Sequence, residues 1–281
     1  MDVVSGRDIA LTGLPRGGTT LACRLLGDCE LAVSLFEPME VMTLPAHDRA
    51  AALDVVAGFY RSSRASLQAT GCAPSKQAGG AVPDNPFGAP DADGRRPQVA
   101  APGWIEVAPP PPGFTLAIKH NAAFAALLPE LADRFDTYAI IRNPVAALGS
   151  WASVDLPVSQ GRVPAGERLD PALAARLDAC PDLPMRQVRL IDWFFERFTA
   201  LPDAKVLRYE DIVASDGRAL FDATGLAPRT LPRLESRNAS RLYPLDRCRA
   251  AVEALLAHDG AWRRWYDEGA LRDTVRRWES P

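Results

Sequence analysis

The sequence predicts a three-layer α/β fold, a central parallel sheet with helices on both sides. Three observations carry this. Short apolar runs alternate with longer runs of helical period. The first run, Asp8 to Gly13, passes through a glycine-containing turn into a helical stretch. A later run, Thr137 to Arg142, passes into a helix through Asn143-Pro144. Alternation of this kind needs crossover connections, so the strands run parallel and helices cover both faces.

Taken in order, Asp8 to Gly13 is a strand and Gly18 to Leu26 a helix. Leu31 to Phe36 is a short apolar run that fits a buried strand. Ala46 to Leu67 carries Leu53, Val56, Ala57, Tyr60 and Ala65 at near-helical spacing. From Gly71 to Gly113 the composition shifts to Pro, Gly, Ala and Asp, with four consecutive prolines at Pro109 to Pro112. This stretch is expected to be a long irregular insertion, a surface loop or a lid over a substrate. Regular structure resumes with a strand at Phe114 to His120, a helix at Ala122 to Phe135 and a strand at Thr137 to Arg142. Asn143 can cap the next helix, with Pro144 in its first position. Ser159 to Pro171 is expected to be loop. Met185 to Leu201 is a helix with Trp193, Phe194 and Phe198 on a core face, and Ala204 to Tyr209 is a strand. The remainder is expected to be mostly helical. The chain is read as one domain over residues 1–281 with an insertion at about 71–113.

Composition excludes several classes. The 281 residues carry 32 Lys and Arg against 35 Asp and Glu, a net charge of −3. A general nucleic-acid binder is usually strongly basic, so none is expected as a partner. No apolar run reaches the roughly 18 residues that span a membrane, and no membrane partner is expected. The five cysteines are scattered without a CxxC pair, which fits neither a disulfide frame nor a zinc site. The three histidines are dispersed, and no metal is expected. Cytoplasm is the expected compartment. The cations are almost all arginine: lysine occurs only at Lys76, Lys119 and Lys205.

The turn after the first strand reads Gly13-Leu14-Pro15-Arg16-Gly17-Gly18-Thr19-Thr20. A Walker loop reads G-x-x-x-x-G-K-S/T. Gly13 and Gly18 have that spacing, but Thr19 stands at the lysine position and a cation appears earlier, at Arg16. The expected architecture is therefore P-loop-like. A helix N-terminus still offers free N–H groups and a positive dipole end to an anion. Without the lysine that reaches the β- and γ-phosphates, the loop suits one phosphate-like group better than a triphosphate.

GLPRGGTTL resembles the 5′-phosphosulfate loop of the sulfotransferases, G-x-P-R/K-S-G-T-T. Gly17 departs from it where the family often has Ser, which removes a hydroxyl contact and keeps the backbone N–H. A second segment, Arg142-Asn143-Pro144 with Ser150 eight residues after the arginine, resembles the family's 3′-phosphate site, R-x-P-x5-S. Read from the residues alone, a guanidinium at a strand end and a hydroxyl on the adjacent helix can grip one phosphate together. LRYEDIV at Leu207 to Val213 resembles the family's L-R-Y-E-D-L segment. The resemblance runs from Ile9 to about Val213.

It implies a sulfotransferase that moves a sulfuryl group from 3′-phosphoadenosine 5′-phosphosulfate (PAPS) to a hydroxyl, leaving 3′-phosphoadenosine 5′-phosphate (PAP). Arg16, Gly17, Gly18, Thr19 and Thr20 are the expected contacts to the 5′ end. Arg142 and Ser150 are expected at the 3′-phosphate, with Arg237 and Ser240 as further contacts. Glu37, in Phe36-Glu37-Pro38 at a strand end, is the expected base, and His120 the second candidate. Lys119 and Arg16 are the expected charge stabilisers. The acceptor stays open between a sugar, a small molecule and a protein tyrosine. The rival readings are a P-loop kinase-like phosphotransferase and a PAP-binding protein without catalysis.

Overall fold

The computed structural model describes residues 6–92, 95–238, 243 and 245–279. Its sheet is the expected one. Five strands, β1 (Asp8–Gly13), β2 (Ala32–Phe36), β5 (Thr115–Lys119), β6 (Asp136–Ile141) and β7 (Val206–Arg208), lie in the order β2-β5-β1-β6-β7. Each neighbouring pair is parallel. The four longer strands are buried almost end to end. Burial on both faces explains why they read as apolar runs and not as alternating patterns. Ala10, Leu35, Ile118 and Ile141 face one core; Ile9, Leu11, Ala117 and Ile140 face the other.

Helix α1 (Thr19–Gly27) covers the second face, together with α9 (Tyr209–Ala214) and α10 (Arg218–Thr224). The first face carries α2 (Arg49–Thr70), α3 (Ala122–Ala126), α4 (Leu128–Arg134), α5 (Pro144–Ala152), α8 (Leu183–Phe198), α11 (Leu245–Ala257) and α12 (Glu268–Glu279). In α8, Trp193, Phe194 and Phe198 are buried as their spacing predicts. Among the described residues no helix is long and apolar enough to cross a membrane.

Three local expectations are corrected. The single helix over 122–135 is two, parted at Leu127, because Pro129 has no N–H to donate back to the preceding turn. Ser159 to Pro171 is not all loop: α6 (Pro164–Leu169) and the start of α7 (Pro171–Asp178) lie in it. Each begins at a proline, which suits a first helical position even though proline punctuates a sequence. The 71–113 stretch is irregular only in its middle. Its ends pair as an antiparallel ribbon, β3 (Cys72–Gln77) against β4 (Ala101–Glu106), from Cys72 opposite Glu106 to Gln77 opposite Ala101. Pro74 and Pro102 sit in these strands, which a two-stranded ribbon with open edges tolerates. Phe36 N–H donates to Ser75 Oγ (3.0 Å) and fixes the ribbon to the end of β2.

Candidate active site

The carboxyl ends of β1, β2, β5 and β6 open into one crevice, where ligands bind in open parallel sheets. The loop after β1 is shaped from behind. Leu14 C=O accepts from Gly17 N–H (2.8 Å), Pro15 C=O from the Trp151 indole (2.8 Å) and Arg16 C=O from Arg142 (3.0 Å). With these carbonyls and the Gly17 amide engaged on the protein side, the amides of Gly18, Thr19 and Thr20 are left to the crevice. No side chain caps α1, and Ala22 is the first residue bonded back, to Gly18 C=O (3.0 Å). An uncapped helix end of this kind is an anion seat.

Two glycines are required by space. Gly18 has φ 88°, and a Cβ there would lie 2.5 Å from the Tyr209 ring. At Gly17 a Cβ would lie 2.7 Å from Leu14 C=O. That contact gives the departure from the serine-bearing loop a local reason: this loop is folded too tightly for a side chain.

Arg142, at the end of β6, is buried and held on every side. Its Nε donates to Asn238 Oδ1 (2.7 Å), one Nη to Arg16 C=O, and the other to Arg237 C=O (2.8 Å) and Tyr243 Oη (2.9 Å). Ser150 is not among the hydrogen-bond partners of Arg142. Its hydroxyl accepts from Arg16 Nε (3.1 Å). Arg16, at φ 64°, is sandwiched between Ser150, Asn85 and the Phe87 ring, with its guanidinium 4.2 Å from the ring centroid. Burial pushes its pKa down to about 9; Tyr243 opposes this, and Arg142, Arg96 and Arg237 add to it. It remains a cation at neutral pH.

The lysine end is built around Glu37, which follows β2 at φ 42° and donates its N–H to Lys119 C=O (2.9 Å). Lys119 Nζ lies 2.6 Å from one carboxylate oxygen and Lys76 Nζ 2.6 Å from the other. Burial alone would raise the Glu37 carboxyl pKa, but the two ammoniums outweigh it and hold the group well below the usual carboxylate range. Burial lowers the Lys119 pKa, and Glu37 is the main group opposing that shift.

His120 is turned away. It is buried, its ring is stacked obliquely on Phe124, and its Nε2 accepts from Met39 N–H (3.3 Å). Burial pushes its pKa down to about 3, against Glu37. A neutral ring whose lone pair is already bonded supports the strand end and is a poor proton acceptor. Lys119 reaches the crevice and its neighbour does not, because successive residues at a strand end face opposite ways.

These elements enclose a cavity of about 480 Å³. Arg16, Gly18, Thr19, Thr20, Glu37, Lys119, Arg142 and Arg237 line it, all of them expected site residues; Gly17, Ser150 and His120 do not. Ser240 lies outside the described residues. Seven cationic side chains and three carboxylates line the cavity, in a chain whose net charge is −3. The local excess of positive charge suits a small polyanion.

No protein-family model matches the chain, and no curated protein matches it. Among solved structures, a sulfotransferase from Mycobacterium tuberculosis is similar at 13% identity and a TM-score of 0.34, over 100% of this chain and 78% of that one.

Several lining residues are not evident from the motifs. Lys76, Asp84, Asn85, Phe87, Arg96 and Gln98 all come from the insertion, which forms a wall of the cavity. The scarcity of lysine was the one available signal for Lys76: two of the three lysines meet on one carboxylate, while Lys205 pairs with Asp136 elsewhere. Asn121 also lines the cavity, with its side-chain oxygen buried and unbonded. Glu210, in the R-Y-E-D segment, accepts from Asn143 N–H (3.0 Å), Asn238 Nδ2 (2.6 Å) and Tyr266 Oη (2.8 Å). It braces the Arg142 end from behind.

Proposed function

We propose that the chain is a sulfotransferase, moving the sulfuryl group of PAPS to a hydroxyl acceptor. The observation that carries this reading is a P-loop-spaced seat with Thr at the lysine position and two lysines gathered at the neighbouring strand ends. The amides of Gly18, Thr19 and Thr20 and the two threonine hydroxyls would hold the 5′ phosphate, while the Gly17 amide, expected there from the motif, is bonded to Leu14 C=O and shapes the turn. Arg142 and Arg237 line the end of the cavity that would take the 3′-phosphate, and Ser150 stands behind them on Arg16. Lys119 would stabilise charge on the departing phosphate oxygen, with Arg16 adding to the positive field.

The donor supplies the sulfuryl group: the acceptor oxygen bonds to sulfur, and the bond from sulfur to the 5′-phosphate oxygen breaks with its electron pair on PAP. Glu37 is the proposed acceptor of the hydroxyl proton. While both lysines hold it, its basicity is too low for that task. It becomes a base only when a lysine turns to another anion. The acceptor class stays open between sugar, small molecule and tyrosine.

The test is a titration of the protein with PAP and with ADP, followed by incubation with radiolabelled PAPS and a lysate. PAP is expected to bind at least about tenfold more tightly, since its 3′-phosphate meets charged donors that ADP lacks a group for. Equal affinity, or tighter ADP binding, would favour a kinase-like site. PAP binding without label transfer would leave a binding protein.

A further inference from the structure

We infer that Lys76 is a catalytic cation of this site, which exchanges the Glu37 carboxylate for the sulfonate oxygens of the donor. The inference rests on the proposed sulfuryl transfer.

The carboxylate of Glu37 is an internal stand-in for the group to be bound. Two ammoniums approach it, each 2.6 Å from a different oxygen. A sulfonate likewise offers separate oxygens of similar spread, so the same two donors can take it. Both ammoniums also lie over the Phe36 ring, 4.6 Å for Lys119 and 5.8 Å for Lys76, which gives them an apolar floor on the sheet side.

The two lysines differ in freedom. Lys119 stands inside the sheet on β5, with its side chain 3% exposed. Lys76 enters from the insertion, with its side chain 28% exposed. Its backbone is fixed, because Phe36 N–H is bonded to the adjacent Ser75. Exchange therefore needs rotation of the Lys76 side chain and no movement of the ribbon. When Lys76 leaves, one Glu37 oxygen loses its charge partner and the carboxylate gains basicity. The same movement thus places a cation on the sulfonate and frees the base, which makes donor binding the first step.

The experiment compares PAP, which lacks the sulfuryl group, with PAPS on wild type, Lys76→Met and Lys76→Arg by calorimetry. Lys76→Met should weaken PAPS by about tenfold, the loss of one charged contact, and change PAP by less than about twofold. Lys76→Arg should recover most of the PAPS affinity. Equal losses for both ligands would show that Lys76 only tethers the insertion; no loss for either would show that it never meets the donor. Both results overturn the inference while PAP binding keeps the sulfotransferase reading intact. Wild type that fails to prefer PAP over ADP overturns that reading instead. In that event inorganic sulfate decides on Lys76: weaker binding by Lys76→Met supports an anion site there, and equal binding rejects it.

Discussion

The two cationic ends of the cavity use opposite designs. At the arginine end, Arg142 gives its guanidinium to two backbone carbonyls, an amide and a phenol of the protein itself. At the lysine end, two ammoniums share one carboxylate. A planar fork with fixed donors is suited to holding several acceptors at once, whereas an ammonium on a long stem can change partner. The difference assigns the arginine end to preorganisation, since Arg142 holds the loop carbonyl of Arg16, directly before the two glycines of the turn. The lysine end holds charge in a form that an incoming anion can take over.

The largest expected effect is at Arg142. Arg142→Ala takes the donor from four part-buried acceptors, of which Arg237 C=O keeps the Tyr243 hydroxyl, and should lower stability by about 3–5 kcal/mol in urea denaturation of the ligand-free protein. Arg142→Lys should recover little, because one ammonium cannot reach the whole set. A loss below about 1 kcal/mol would break the comparison, showing that the guanidinium is available to a ligand and does not hold the loop.

Glu37→Gln tests the other end. It leaves Lys119 buried beside a neutral amide, and stability at pH 7 should fall by about 2–3 kcal/mol, less than for a fully buried pair because Glu37 is partly exposed. The sign with pH follows from its lowered pKa. Such a carboxylate stabilises the fold fully above its unfolded pKa of about 4.3, and the contribution is lost as pH falls toward the folded value. The advantage of wild type over Glu37→Gln should be level between about pH 7 and 5 and shrink below about pH 4. An advantage that stays constant to pH 3 would show that the lysines do not depend on the charge. Turnover of PAPS should fall on the order of 10²–10⁴-fold in Glu37→Gln, with PAP affinity little changed. His120→Asn is the contrast and should keep turnover within about tenfold of wild type. A dead His120→Asn with an active Glu37→Gln would reverse the two roles.

How much of this was legible in the sequence divides along the same line. The loop from Gly13 to Thr20 and the turn through Asn143 and Pro144 obey local rules, and the structure has both where the residues place them. Asn143 Oδ1 accepts from Val145 N–H (3.0 Å), and Pro144 takes the first helical position. The β3–β4 ribbon was not legible. Its strands, CAPSKQ and APGWIE, carry prolines and no alternation, and their pairing closes across more than twenty intervening residues. Nothing local announces that Lys76 will meet Glu37, because that contact exists only once the ribbon is fixed to the end of β2. Arg142 and Ser150 show the converse limit. Their spacing suggested a shared phosphate, yet the fold directs the arginine to the loop and the serine to Arg16.

The smallest effect is expected at Ser150, and it bears most directly on what the arginine end does with a ligand. The hydroxyl is buried and accepts from Arg16 Nε. Ser150→Ala removes that acceptor and should cost about 1 kcal/mol of stability, as for one buried hydrogen bond. The hydroxyl's own proton remains able to donate; because Ser150 sits on Arg16 and off the cavity lining, a 3′-phosphate oxygen would become its partner only where Arg16 turns aside. PAP affinity should then fall about threefold to tenfold in Ser150→Ala. Adenosine 5′-phosphosulfate, which has no 3′-phosphate, should bind almost as before. An equal loss for both ligands would confine Ser150 to holding Arg16, and the arginine end would then shape the loop without reading the 3′-phosphate through this residue.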